Sequence, residues 1–279
     1  MKLVKKLMSL VVLAAAATVL TGISPPDDRT VKVIKGREIW EGTRIVRRVV
    51  VEKGGILEVK PGTRIRFAYY DEDKDGVGDA GIEVRGRIIV AGSADKRVVF
   101  EGDRENCGRA WKEIEVVGAE GASFENADFI CAHWAIHLHD TAAVIRGCSF
   151  TDGYGGVRFK GGQVRIEKSN FEKNSLGVRF LDSSPRIEKN AFRENGTAIY
   201  VREGSTGAVI SGNNFSGSAE YSVAIGESQA AEVRAEGNWW GTVDEKRIRK
   251  GIFERAGKGY TGIVKYLPFL QKENPDAGH

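Results

Sequence analysis

Three of the four histidines of this chain lie close together, with types and spacing that could bind a metal ion. His133, His137 and His139 fall within seven residues, just after Cys131. Imidazole nitrogens and a thiolate are ligands that zinc and copper prefer in proteins. Side chains two residues apart point to the same side of a strand, so a strand would place His137 beside His139. The sequence therefore predicts a copper or zinc site, with metal-free surface histidines as the alternative.

An acidic segment at residues 71–79 carries alternating carboxylates followed by glycine. Its pattern matches the first half of a calcium-binding loop, in which hard oxygen ligands surround a hard cation. The predicted ligands are the side chains of Asp71, Asp73, Asp75 and Asp79 and the main-chain carbonyl of Val77. The match is incomplete, because the twelfth position holds isoleucine where a bidentate glutamate belongs. Calcium is thus a predicted cofactor, and a solvated polar loop is the alternative.

An apolar pattern with a period near 21 residues runs through the centre of the chain. Its aromatic anchors, separated by 21, 21, 21, 23 and 25 residues, are Phe129, Phe150, Phe171, Phe192, Phe215 and Trp240. Each anchor is followed by an alternating apolar pair such as Val178 and Phe180, and the last three are preceded by Asn190, Asn213 and Asn238. Alternation with period two predicts strands that have one side in a core.

Twenty or so residues made only of strands and turns close one coil of a solenoid. Coils stacked about 4.8 Å apart would give each strand a partner on both sides, and stacked asparagines would bond from coil to coil. The sequence predicts an all-β right-handed parallel β-helix with coils of about 21 residues. A leucine-rich repeat has a similar period, but only three leucines lie between residues 122 and 241.

The pattern divides the chain into four parts. Residues 1–22 resemble a secretory signal peptide, with three lysines, an apolar run and small residues; a retained membrane anchor is the alternative. Residues 23–121 are predicted to form an N-terminal cap and irregular first coils, in which the pairs Leu57/Val59 and Ile82/Val84 continue the series. Residues 122–241 form regular coils, and residues 242–279 form a C-terminal cap with a short helix within 244–255 and a tail.

Charge and cysteine content narrow the class of protein. The chain has 42 basic and 38 acidic residues, and removing the three signal lysines leaves 39 against 38. A mature chain so near neutrality does not favour nucleic-acid binding. The signal predicts export to the periplasm, the cell surface or the medium, with no membrane span in the mature chain. Three cysteines, Cys107, Cys131 and Cys148, allow one disulfide there, and the sequence leaves the pairing open.

A basic column is predicted on the outer face of the coils. The repeat places Arg158, Arg179 and Tyr200 at equivalent outward positions, flanked by Lys160 and Arg202. Arginine pairs with carboxylates and tyrosine stacks on sugars, so the column could hold an acidic polysaccharide. The alternative is an ordinary solvated face. The same register sets a guanidinium beside the histidines, which would disfavour a cation there.

Two further features could act on carbohydrate. Asp182 and Glu203 occupy equivalent points in adjacent coils, at the close spacing of the carboxylate pair of a retaining glycosidase. Acidic residues are also ordinary in turns, which is the alternative explanation. Trp239 points away from the core residue Trp240, so it could stack on a sugar or pack under the terminal helix.

Three segments carry a resemblance to a known family. They are the entry at residues 55–63, the Ile-x-x-Asn-x-Phe repeats that end at residues 237–242, and a closing segment at residues 248–269. Together they resemble bacterial right-handed β-helix repeat proteins of pectin-lyase-like architecture, which include the periplasmic NosD type and copper-linked members. The resemblance covers most of the mature chain. It implies the fold, since this architecture hosts lyases, hydrolases, sugar-binding modules and passive surface proteins.

The leading functional hypothesis is an exported, non-catalytic β-helix protein that binds carbohydrate, such as a polysaccharide or envelope glycan, or serves as a cell-envelope scaffold. One alternative is a polysaccharide lyase or glycoside hydrolase. A second is a periplasmic copper-binding protein that uses the histidines.

Overall fold

A computed structural model describes residues 31–226, 230, 232–254 and 262–279, so the predicted signal peptide lies outside the described residues. Three parallel sheets run along one axis, two of ten strands and one of eight. Each coil contributes one strand to each sheet in turn, and each strand pairs with its equivalents in the coils before and after. The predicted all-β, right-handed parallel β-helix is confirmed.

Each sheet is a column of short strands from successive coils. The first sheet contains Lys32–Ile34, Arg48–Val51, Gly81–Val84, Ile114–Val117, Trp134–His139, Gly155–Lys160, Leu176–Leu181, Thr197–Val201, Tyr221–Ile225 and Ile252–Phe253. The second contains Arg37–Trp40, Ile56–Val59, Arg87–Ala91, Gly121–Glu125, Ala143–Arg146, Val164–Glu167, Arg186–Glu188, Val209–Ser211, Val233–Arg234 and Val264–Lys265. The third contains Thr43–Val46, Arg64–Phe67, Val98–Glu101, Ala127–Ile130, Ser149–Thr151, Asn170–Glu172, Ala191–Arg193 and Asn214–Ser216.

The aromatic anchors form the single axial file that the repeat predicts. Phe150, Phe171 and Phe192 are buried, and their ring centroids lie 4.6 and 4.8 Å apart, close to the strand spacing. The file continues upward to Phe215 and Trp240 at 5.2 and 5.0 Å. Because every coil places a ring at the same inner position, the core is one continuous aromatic stack.

The Ile-x-x-Asn-x-Phe signal forms two strands, whereas the alternation alone predicted one. Ile187 and Phe192 are five residues apart, so a straight strand would point them to opposite faces. Lys189 between them has φ of 57°, a left-handed conformation that turns the chain from the second sheet to the third. Both apolar side chains therefore face inward. The buried Asn190 satisfies the polar groups at this bend.

The asparagine column is confirmed as a hydrogen-bonded ladder. The Asn190 side chain donates to Asn213 Oδ1 at 3.0 Å, and Asn213 donates to Asn238 Oδ1 at 3.0 Å. A second ladder at the next corner joins Asn174 to Asn195 at 3.1 Å. Buried amides thus bridge successive coils where the chain bends, which satisfies main-chain groups that the sheets leave unpaired.

The first coils contain the insertions that the wider spacings indicated, but one pair was assigned to the wrong series. Ile82/Val84 lies in the first sheet, whereas Leu57/Val59 lies in the second. The pair alone could not distinguish them, because strands of all three sheets bury alternate residues. The extra residues, 68–80 and 102–113, connect the third sheet to the first.

The C-terminal helix is shorter than predicted. It spans Glu245–Lys250 and begins at Asp244, whose carboxylate accepts hydrogen bonds from two main-chain N–H groups. Gly251 ends it, so Ile252 and Phe253, predicted on the helix, form the last strand of the first sheet instead. The predicted final strand is confirmed at Val264–Lys265, and residue 255 lies outside the described residues.

Candidate functional site

The outer side of the first sheet, called here the charged face, changes chemistry from coil to coil. Its central column consists of residues paired directly on adjacent strands, in the order Glu83, Glu115, His137, Arg158, Arg179 and Tyr200. The column is thus acidic toward the N-terminus, basic in the middle and aromatic toward the C-terminus. Neighbours in it are one strand spacing apart, about 4.8 Å.

Two inserted loops overhang the acidic end of the charged face. The acidic loop, residues 71–79, is joined to the second loop by a hydrogen bond from the Gly78 N–H to the Arg109 carbonyl at 2.8 Å. A disulfide between Cys107 and Cys131 ties the second loop to the coils, and Cys148 is a buried free thiol. Between the acidic loop and the strands is an open cavity of about 430 Å³. Its lining includes Tyr70, Asp79, Glu83, Glu113 and Glu115.

A buried carboxylate organises the middle of the charged face. Glu113 is 8% exposed, and its Oε2 lies 2.7 Å from Arg158 Nη2 and 3.1 Å from His137 Nδ1. Burial raises the pKa of this carboxyl, but the His137 imidazole and the Arg158 guanidinium outweigh burial and hold the pKa below its usual value. The guanidinium also lies over the Trp134 ring, 5.2 Å from its centroid. Arg158 is therefore anchored on both sides.

Three potential metal ligands come together next to Glu113. Glu115 Oε1 lies 3.7 Å from His137 Nδ1 and 3.7 Å from His139 Nε2, and donor atoms of the three residues fall within 4.8 Å of one another. Burial and the nearby His137 lower the pKa of His139, which favours the neutral imidazole that binds metals. The residues fit a transition-metal ion by type and separation.

Two of the predicted metal ligands do not belong to this group. Cys131 was wrong as a ligand, because its sulfur is bonded to Cys107. His133 stacks on Tyr154 with centroids 5.0 Å apart, and it is not among the donors that converge with His137. Burial and the charge of Arg158 lower its pKa. The predicted copper or zinc set is thereby reduced to two histidines and gains Glu115.

In the acidic loop, three of the predicted calcium ligands converge. Carboxylate oxygens of Asp71, Asp73 and Asp79 lie within 4.8 Å of one another. Asp71 Oδ2 accepts from the Gly76 N–H at 3.0 Å, as in a tight turn around an ion. Asp75 is outside the group, and its Oδ1 accepts from the Val77 N–H at 2.7 Å. The calcium site stays a prediction.

Calcium titration with Asp73→Asn as the variant tests the acidic loop. We expect the wild-type chain to gain thermal stability in millimolar calcium, the range of extracellular sites, and the variant to gain less than half as much. Asp103→Asn, in the neighbouring loop, is the control and keeps the full calcium effect. Equal stabilisation of wild type and Asp73→Asn would contradict a site at this loop.

The predicted basic column is present in register, with one member that has no acidic partner. Lys160 lies 4.0 Å from Asp182, and Arg202 lies 2.9 Å from Glu203. Arg179 forms no ion pair with the described residues, and its buried Nε has no hydrogen-bond partner among them. Burial, followed by the charge of Arg202, lowers the pKa of Arg179. This guanidinium has binding capacity that its neighbours do not use.

Trp239 lies away from the basic column, so its placement in that ligand-binding set was wrong. It pairs with Asn214 beside the third sheet, and it is half-buried there. The reason is its chain neighbour: Trp240 stacks on Phe215 at the end of the aromatic file, which belongs to the third sheet. Trp239 consequently faces outward from that sheet and not from the first.

Asp182 and Glu203 lie in adjacent coils as predicted, with the Asp182 N–H donating to the Glu203 carbonyl at 2.8 Å. Asp182 has φ of 47° and is equivalent to Asp140 and Gly161, with φ of 48° and 64°. Aspartate tolerates this left-handed conformation, so the corner accounts for its presence. Each carboxylate also has a basic neighbour. A catalytic role for the pair stays a prediction.

Glu113 and Glu115 are functional candidates that the sequence did not single out. They alternate with the apolar residues Ile114 and Val116, so the period that identified the strand also placed both carboxylates outward or at its edge. Glu115 precedes its strand partner His137 by 22 residues. This is one residue more than the regular period, and it hid the column from a search at 21.

The family comparison agrees with the geometry. A family model described as right handed beta helix region matches residues 105–239. Together with the three parallel sheets, this match shows that the chain is a right-handed parallel β-helix protein. No curated protein and no solved structure gave a match. The NosD-like subtype stays a prediction, and none of the described helices has the length and apolarity to cross a membrane.

Proposed function

We propose that this protein is exported and binds an acidic polysaccharide or envelope glycan along the charged face without turning it over. The observation that carries the proposal is the direct pairing of Arg158, Arg179 and Tyr200 on three successive strands. Arg179 lacks an acidic partner among the described residues, so a ligand carboxylate could bind it without displacing one.

The column suits a linear, negatively charged polymer. A guanidinium binds a carboxylate through two parallel hydrogen bonds, and rings such as Tyr200 offer a flat apolar surface to a sugar. Beyond Tyr200 the column continues through Ala224 to Phe253, which is 37% exposed and packs 5.0 Å from Tyr221. From Arg158 to Phe253 the column covers four strand spacings, about 19 Å. A ligand that runs along the axis would contact basic and then aromatic groups.

Export is supported by the disulfide between Cys107 and Cys131, since such bonds persist in oxidising compartments. The periplasm and the cell surface also contain the acidic polymers that the column would bind. Detection of the protein only in the cytosol after fractionation would contradict this part of the proposal.

Glycan binding is tested with a panel of acidic and neutral polysaccharides and the variant Arg179→Ala. We expect the variant to lose about 10-fold to 100-fold in affinity for the bound acidic glycan, because one charge-assisted contact contributes about 1.5–3 kcal/mol. Arg165→Ala is the matched control, since Arg165 lies on the outer side of the second sheet and pairs with Glu167.

Three results would overturn the proposal. One is an equal loss of affinity in Arg165→Ala, and a second is a panel in which no glycan binds. The third is release of reducing sugars or unsaturated uronates, which would show a hydrolase or lyase. In that case Asp182→Asn and Glu203→Gln would be the first variants to assay.

A further inference from the structure

We propose that Glu115, His137 and His139 form a binding site for a divalent transition-metal ion of the zinc type on the charged face. The three residues lie on two adjacent strands of the first sheet, where Glu115 pairs directly with His137. This site is separate from the basic column and from the acidic loop. It does not rest on glycan binding.

The distances fit a compact coordination shell. Zinc bonds to nitrogen and oxygen are about 2.0–2.2 Å long, so two ligands at tetrahedral positions are separated by about 3.4 Å. The Glu115 oxygen is 3.7 Å from one nitrogen of each histidine. Small rotations of exposed side chains close this difference. Three protein ligands leave a fourth position open to water or to a further ligand.

The surrounding charges favour a cation despite the nearby arginine. Arg158 is already bound to Glu113, whose Oε2 lies 2.7 Å from its guanidinium. Glu113, Glu115 and Arg158 together carry one net negative charge, and Glu83 adjoins Glu115 in the central column. The objection that a guanidinium repels a metal therefore applies to an unpaired arginine and not to this one.

Glu113 also provides the support that a metal-binding histidine usually has. Its Oε2 lies 3.1 Å from His137 Nδ1. A carboxylate next to one ring nitrogen orients the imidazole and leaves the other nitrogen for the metal. Because Arg158 fixes this carboxylate, the His137 ring is held before any ion arrives.

The ligand types define the class of metal. Two imidazoles and one carboxylate suit zinc and the neighbouring transition metals, whereas calcium and magnesium require oxygen ligands throughout. The partial exposure of His139 and Glu115 leaves a direct path from solvent. Copper would bind more tightly than zinc at almost any such set, so selectivity is not part of the proposal.

The test is calorimetric titration of the chelator-treated protein with Zn²⁺, with calcium as the class control and Co²⁺ absorption as the readout of coordination geometry. We expect His139→Gln and Glu115→Gln each to weaken Zn²⁺ binding by at least about 10-fold. His133→Gln, which removes a histidine outside the group, should bind as the wild type does. Circular dichroism confirms that each variant is folded.

The proposal is overturned if the wild-type protein binds no Zn²⁺ at micromolar to millimolar concentrations, or if His133→Gln loses as much affinity as His139→Gln. The Arg179→Ala variant separates the two proposals, because it should bind Zn²⁺ normally. If Zn²⁺ binding persists while no glycan binds, the metal site stands without the proposed function.

Discussion

Replacing Phe171 with alanine is expected to lower the free energy of unfolding by about 4 kcal/mol. The ring is 0% exposed and lies between those of Phe150 and Phe192, at centroid distances of 4.6 and 4.8 Å. Truncation removes stacking on both sides and leaves a cavity that the rigid strands above and below cannot close. In a solenoid each coil is stabilised mainly by its neighbours, so one lost ring weakens two interfaces.

Urea denaturation of wild type and Phe171→Ala with the disulfide intact measures this difference. Phe253→Ala is the matched control, because it makes the same chemical change at a ring that is 37% exposed at the end of the first sheet. We expect a loss of about 1 kcal/mol or less there. Comparable losses in the two variants would contradict the view that the aromatic file is the main source of stability.

The fold could be predicted from the sequence because the coils repeat the same burial pattern. Phe150, Phe171 and Phe192 are in register since nothing is inserted between them, and any periodic core position gives the same answer. The bends were missed for a physical reason. Residues such as Lys189 adopt a left-handed conformation under constraints from the coils above and below, and no residue type signals this unambiguously.

The candidate site was less predictable, because it depends on the parts that break the repeat. The insertion before Ile114–Val117 changes the spacing, so Glu115 is not found by counting back from His137 at the regular period. Closure of the second loop by Cys107 and Cys131 likewise depends on a three-dimensional approach that spacing does not encode. Arg158 and Arg179 lie within the regular coils, and their register followed directly from the period.

The solenoid separates stability from recognition on the same strands. Inward residues such as Val157 and Val178 are constrained by the core, whereas the outward neighbours Arg158 and Arg179 meet only solvent and each other. One column can therefore change from acid to imidazole to guanidinium over successive coils without any change of fold. A metal ion and an anionic polymer could consequently bind at neighbouring points of one continuous surface.

Replacement of Asn213 with alanine is the second substitution with a large expected effect, a loss of about 3 kcal/mol of unfolding free energy. The Asn213 side chain donates to the Ile187 carbonyl at 2.8 Å and to Asn238 Oδ1 at 3.0 Å. Its Oδ1 accepts from the Asn190 main-chain N–H at 2.8 Å and from the Asn190 side chain at 3.0 Å. Alanine would leave these groups buried and unpaired at a corner from which water is excluded.

The control for this ladder is Asn106→Ala, whose side chain contacts only Asp103 at 3.4 Å in the second inserted loop. We expect a change within about 0.5 kcal/mol for that variant. If Asn213→Ala also costs less than about 1 kcal/mol, the buried amides are not needed for coil stacking. The corner would then be stabilised by apolar packing of Ile187 and its neighbours. A large loss would instead show that a solenoid of this kind requires a polar ladder beside its aromatic one, because each bend leaves main-chain groups that only a side chain can satisfy.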